Sequence, residues 1–212
     1  MKQEVIECAR TTKIVAIIRG MAPDICVNLA KAYAAGGIRM VEVTFDQTGD
    51  PMNTFNAIKA IRESCPGMHV GAGTVLTERQ LELTIEAGGE FMVTPSVNPA
   101  LIAKANAAGL VTMPGAFTPT EIVTAHEAGA DFVKVFPVRS LGPQYIKDVL
   151  APLKHIKLLA VGGVGPDNAA DFLKAGCVGV GASGSLVNKE WIAAGEWDRI
   201  QAEAARFVAA IS

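Results

Sequence analysis

Short apolar blocks recur along the chain, each followed by a longer stretch whose apolar positions return at helical spacing. Residues 14–19, 40–45, 69–74, 91–94, 110–113, 131–137, 158–161 and 178–182 are rich in β-branched, aromatic and small apolar side chains. Blocks this short predict strands covered on both faces. The intervening stretches predict helices over 23–35, 54–63, 78–87, 100–108, 120–128, 143–150, 167–175 and 197–210, with a loop over 46–53. Pro23-Asp24 is a helix opener, and Gly36-Gly37, Pro66-Gly67 and Gly88-Gly89 are stops. A further polar helix is expected over 2–10, ahead of the first strand.

Strict alternation of strand and helix predicts a parallel sheet covered by helices. Successive strand starts lie 19 to 29 residues apart, and there are eight of them. The chain's 212 residues are fewer than the ~250 typical of such barrels. Eight units in so short a chain nevertheless suit a closed barrel better than an open doubly wound sheet. The expectation is a single (β/α)8 TIM barrel occupying residues 1–212, with the first helix capping one end. There is no linker, low-complexity segment or internal sequence repeat to divide it.

Composition narrows the functional classes. Half of the residues are hydrophobic and 19% are charged, as in a compact globule rather than a disordered chain. A net charge of -2 gives no reason to expect nucleic acid or an anionic membrane as partner. No apolar run reaches the ~18 residues of a membrane span, and no leader opens the chain. Cys8, Cys26, Cys65 and Cys177 match neither a disulfide framework nor a zinc spacing, so reduced thiols in a cytoplasmic protein are expected.

Two ionisable residues interrupt the apolar strands. Lys134 shares its face of Asp131-Phe132-Val133-Lys134-Val135-Phe136-Pro137 with Phe132 and Phe136, because side chains alternate along a strand. Burial disfavours the ammonium and leaves an amine able to attack a carbonyl. Glu42, within the second strand, supplies a carboxylate that could hold that amine and move protons. The structural alternative is a buried ion pair, which apolar side chains of similar volume would match in stability.

In a barrel of this kind the active site lies at the C-terminal ends of the strands. Those ends carry Arg19, Thr44, Gly73, Thr74, Thr94, Pro95, Gly162, Gly163 and the run Gly181-Ala182-Ser183-Gly184-Ser185. Glycines after the seventh and eighth strands let backbone N–H groups approach a phosphate. Thr74 and Arg19 are candidates for a substrate carboxylate, with a helix cap and a rim salt bridge as their structural alternatives. No His or Asp cluster sits at these ends, so no metal is expected.

Val41-Glu42-Val43-Thr44, Gly71-Ala72-Gly73-Thr74-Val75, Thr94-Pro95, Pro114-Gly115, Val133-Lys134-Val135-Phe136-Pro137 and Val161-Gly162-Gly163-Val164 together resemble the class I aldolases of 2-keto-3-deoxy-6-phosphogluconate (KDPG) and its relatives. The relatives act on 2-keto-3-deoxy-6-phosphogalactonate (KDPGal) and 4-hydroxy-2-oxoglutarate (KHG). The resemblance implies a Schiff base on Lys134 and an acid/base role for Glu42. It also implies pyruvyl carboxylate binding by Gly73 and Thr74, Phe136 packed beside the lysine, and phosphate binding by Gly162, Gly163 and the Gly181, Ala182, Ser183 and Ser185 loop. Products would be pyruvate and glyceraldehyde 3-phosphate, from a homotrimer without cofactor.

Two positions depart from that pattern. Asp46 stands where many members carry an arginine, which leaves Arg19 as the carboxylate's expected cation. Val161 stands where many have threonine, and with the segment from Leu141 to Lys147 it looks more like the galactonate branch. KDPG and KDPGal both stay open, with KHG cleavage and a non-catalytic phosphosugar-binding barrel as alternatives.

Overall fold

The computed structural model describes residues 2–212. Its elements run α1 (Lys2–Thr12), β1 (Ile14–Arg19), α2 (Pro23–Ala35), β2 (Met40–Thr44), α3 (Pro51–Ser64), β3 (His69–Gly73), α4 (Glu78–Glu86), β4 (Phe91–Val93), α5 (Pro99–Ala107) and β5 (Val111–Met113). They continue with β6 (Gly115–Ala116), α6 (Pro119–Glu127), β7 (Val133–Val135), α7 (Gly142–Leu150), β8 (Leu158–Val161), α8 (Ala169–Lys174), β9 (Gly179–Ala182), α9 (Lys189–Ala194) and α10 (Trp197–Ile211). All recorded strand pairs are parallel, in the order β5-β4-β3-β2-β1-β9-β8-β7-β6.

The two ends of that order are one strand in two pieces. β5 pairs with β4 through Phe91↔Val111, whereas β6 pairs with β7 through Gly115↔Lys134. Pro114 lies between the pieces and has no N–H for a ladder, so the strand breaks there. Its carbonyl still accepts from Lys134 N at 2.8 Å. The eight expected strands are therefore present as nine segments of a (β/α)8 barrel, with the fifth turned at a proline.

Alternation sorts the apolar side chains into two cores. Val15, Ile17, Met40, Phe91, Val93, Met113, Phe132, Leu159 and Val161 fill the barrel interior, joined by Val5 and Ala9 of α1. Helix α1 thus closes the N-terminal end of the barrel, as expected. Full burial of a side chain such as Val5 contributes about 1.5–3 kcal/mol. Val41, Val43, Val133, Val135 and Ala160 point the other way, into the larger core beneath the helices.

Local caps explain where the helices differ from expectation. α3 starts at Pro51, inside the loop expected over 46–53 and ahead of the expected start at Thr54, because the Asp50 carboxylate accepts from Met52 N at 2.9 Å. Thr77 with Gln80, and Thr118 with Glu121, form reciprocal capping boxes that start α4 and α6. The short α9, not expected from the sequence, is set by Asn188 at its start and by Gly195 at φ 67° at its end. Among the described residues, no helix is long and apolar enough to cross a membrane.

Candidate active site

Glu42 sits on the inner face of β2 because Met40, two positions before it, belongs to the interior core while Val41 and Val43 belong to the outer one. The same alternation turns Lys134 inward between Phe132 and Phe136. Both charged groups are nearly covered, at 3% and 6% of full exposure. The Lys134 ammonium position lies 4.8 Å from the centre of the Phe136 ring.

Burial sets the chemistry of the pair. Loss of water pushes the Glu42 carboxyl up from the usual carboxylate range, partly offset by the charges of Lys134 and then Arg19. Burial pulls Lys134 below the usual amine range, against the support of Glu42, and the nearby Arg19 guanidinium lowers it further. The result is an amine able to be neutral, with a carboxyl group able to carry a proton.

Above Lys134 opens a cavity of about 480 Å³. Of the residues singled out in the sequence, Arg19, Lys134, Phe136, Val161, Gly162, Gly163, Gly181, Ser183 and Ser185 form its wall. Glu42 lies lower, sharing a small void of about 10 Å³ with Lys134, Ile17 and Met113. Gly73 packs directly on it: a Cβ at Gly73 would stand 2.5 Å from Glu42 Oε1 and 2.9 Å from Thr44 Cγ2. Gly73 is therefore the residue that leaves room for the carboxylate.

The other expected residues have different surroundings. Thr44 is buried against Gly73, and its carbonyl accepts from Thr54 Oγ1 at 3.2 Å. Thr74 adopts φ 55°, a left-handed conformation uncommon for a residue with a Cβ. Its carbonyl accepts from Gln47 Nε2 at 2.9 Å, and Gln47 Oε1 accepts from Gln80 Nε2 at 3.0 Å. The Thr94 hydroxyl is occupied by backbone, donating to Ser96 O and accepting from Gly115 N at 3.3 Å. Pro95 backs Gly115, whose Cβ would meet the Pro95 carbonyl carbon at 2.5 Å. Ala182 does not face the cavity: it follows inward Gly181 on β9, so alternation turns it into the outer core.

Asp46, at the position of the missing arginine, turns onto its own loop. Its Oδ1 accepts from Thr48 N at 2.9 Å and Thr48 Oγ1 at 2.8 Å. Arg19 is the cation whose field reaches both Glu42 and Lys134.

The glycine-rich end of the cavity contains more than its glycines. Gly162 and Gly163 have φ 94° and 90°, conformations that only glycine adopts freely. Asn168 Nδ2 donates to Gly163 O at 3.0 Å, and Asn168 Oδ1 accepts from Gly165 N at 2.9 Å, which fixes this loop. Ser185 Oγ is buried without a hydrogen-bond partner among the described residues. Arg139 and Asn168, which also line the cavity, were not singled out by the sequence reading. Their signal there was slight, since each stands in a loop or at a helix start whose direction only the fold fixes.

Comparison with known proteins identifies the family. A family model described as KDPG and KHG aldolase matches residues 5–203. A probable 2-dehydro-3-deoxy-6-phosphogalactonate aldolase of Rhizobium meliloti (strain 1021) is 38% identical, over 82% of this chain and 81% of its own. The 2-dehydro-3-deoxy-6-phosphogalactonate aldolase of Escherichia coli (strain K12) is 37% identical over 93% of both chains. A solved structure described as native KDPGal superposes with a TM-score of 0.83 at 35% identity, again over 93% of each chain.

Proposed function

The chain belongs to the KDPG and KHG aldolase family, and from that premise we propose that it cleaves a 2-keto-3-deoxy-6-phospho sugar acid, preferably galactonate-derived, to pyruvate and glyceraldehyde 3-phosphate. The observation that carries this reading is Lys134, an inward lysine at the cavity floor whose charged form is disfavoured by burial and which shares its void with Glu42.

The neutral Lys134 amine attacks the substrate C2 carbonyl, and loss of water from the carbinolamine leaves an iminium ion. The Glu42 carboxylate takes the proton from the C4 hydroxyl. The C3–C4 bond then breaks, its electron pair moves into the iminium as an enamine, and the aldehyde product departs. Glu42 returns its proton to C3, and water hydrolyses the resulting pyruvyl iminium to release pyruvate and the free amine.

Arg19, with Gly73 and Thr74, serves the substrate carboxylate in this reading, and Gly162, Gly163 and Ser185 serve the phosphate. 4-Hydroxy-2-oxoglutarate ends in a carboxylate at C5 and brings no 6-phosphate to the glycine-rich end of the cavity, so the phosphorylated substrate is preferred. Val161 and the names of the two relatives support the galactonate-derived sugar. The protein is further read as a one-domain cytoplasmic homotrimer. Sedimentation would measure the subunit number.

Borohydride reduction in the presence of pyruvate tests the mechanism. A mass adduct on Lys134, absent from Lys134→Ala, is expected. No adduct, or one that survives the substitution, would overturn it. Pyruvate release from KDPGal and KDPG, measured side by side, then identifies the sugar.

A further inference from the structure

Two arginines line the cavity, and they stand at different ends of it. Arg19 influences both Glu42 and Lys134, whereas Arg139, from the loop after β7, lies against the Gly163 turn. A Cβ at Gly163 would stand 2.8 Å from Arg139 Cβ and 2.9 Å from its Nε. Only a glycine lets that arginine settle so closely over the backbone.

Arg139 has no salt-bridge partner among the described residues. Asp167, the one acidic side chain on the cavity wall among the described residues, instead meets Arg206 Nη1 of α10 at 3.2 Å. The exposed guanidinium at the cavity rim is therefore met by solvent and by no carboxylate among the described residues. Ser185 Oγ, a buried donor without a partner among the described residues, lines the same end. A cation without a carboxylate, an unused hydroxyl and two glycines with positive φ describe a place for an oxyanion rather than for a neutral group.

We propose that Arg139 is the cation of the phosphate subsite, pairing with the terminal phosphomonoester and making this chain select phosphorylated over unphosphorylated keto sugar acids. The assignment rests on the aldolase reading above. It goes beyond that reading by giving specificity to a residue outside the glycine and serine motifs. Arg139 acts on a part of the substrate remote from the bond that breaks, and such binding energy is felt in kcat as well as KM, so its contribution is read in kcat/KM.

The test compares kcat/KM for the 6-phosphorylated acid with that for its unphosphorylated counterpart, in wild type, Arg139→Ala and Arg139→Lys. Loss of one charge-assisted contact predicts a fall of about 10- to 100-fold in that ratio for Arg139→Ala. Arg139→Lys should recover part of it, because the charge is kept without the two-pronged geometry. Inhibition by inorganic phosphate should weaken in the same order. An unchanged ratio, or equal loss on both substrates, would overturn the assignment. Borohydride trapping of pyruvate on wild-type Lys134 separates the two levels. An adduct with an unchanged ratio removes only the role of Arg139, whereas no adduct removes the aldolase reading itself.

Discussion

Glu42 on β2 and Lys134 on β7 stand four strand positions apart around the barrel, and each opposes the effect of burial on the other. The carboxylate raises the lysine's affinity for its proton, while burial and Arg19 lower it. Glu42→Gln removes the support, so Lys134 should lose its proton at a still lower pH than in wild type. The acid limb of pyruvate trapping, followed by borohydride inactivation against pH, is expected to move down. Turnover should fall about 10²- to 10⁴-fold, because the proton carrier is lost. A limb that moves up would contradict the coupling.

Gly73→Ala tests the same carboxylate from its neighbour. The added methyl would lie 2.5 Å from Glu42 Oε1, too close for either to stay in place. Displacing an acid/base group by about 1 Å is worth on the order of 100-fold in rate. Overpacking adds a stability cost of about 1–3 kcal/mol. Kinetics alongside urea unfolding should show the rate loss in molecules that remain folded. Unimpaired kcat would mean that Glu42 has another place to stand.

The alternation of strands and helices was legible because the apolar period changes from two to 3.6 at glycine stops. Glu42 and Lys134 were legible because charges inside apolar strands need a reason. The break at Pro114 was not, since whether a proline ends a strand or turns it depends on which neighbour takes the second half. Arg139 was hidden for a related reason: the direction of a loop arginine is set by the glycine turn beneath it, remote in sequence. The Gln47–Gln80 bond joins residues 33 apart, and no local pattern announces it. Residues placed by alternation could be read from the chain, while those placed by loop-to-loop contact needed the fold.

Gln47 supports Thr74 in its left-handed conformation through a single 2.9 Å hydrogen bond to its carbonyl, and Gln80 holds Gln47. Gln47→Ala removes the donor. Gln47→Glu removes it too while keeping the length of the side chain. One neutral hydrogen bond is worth about 0.5–1.5 kcal/mol, or roughly a 2- to 10-fold rise in KM for the keto acid in both variants, with kcat less affected. If Gln47→Glu behaves as wild type, the side chain matters as packing and not as a donor.

At the opposite end of the barrel Glu90 ties three elements together. Its Oε2 meets Arg62 Nη1 at 2.8 Å and His69 Nδ1 at 3.1 Å, and it accepts from Val70 N at 3.3 Å. Burial pushes Glu90 up, but the His69 hydrogen bond and the charges of His69 and Arg62 bring it below its ordinary 4.5. The neighbouring Cys8 side chain and then the hydrogen bond to Glu90 raise His69 from 6.5 to about 10. The Glu90 contribution to stability is therefore complete above pH 4.5 and is lost as pH falls through its lowered value. The His69 contribution is complete below pH 6.5 and is lost as pH rises towards about 10. Glu90→Gln should cost about 1–3 kcal/mol. Urea unfolding should find the gap between wild type and variant wider near pH ~5.5 than near pH ~8.5. Equal gaps at both would show that His69 does not carry its proton through the folded state.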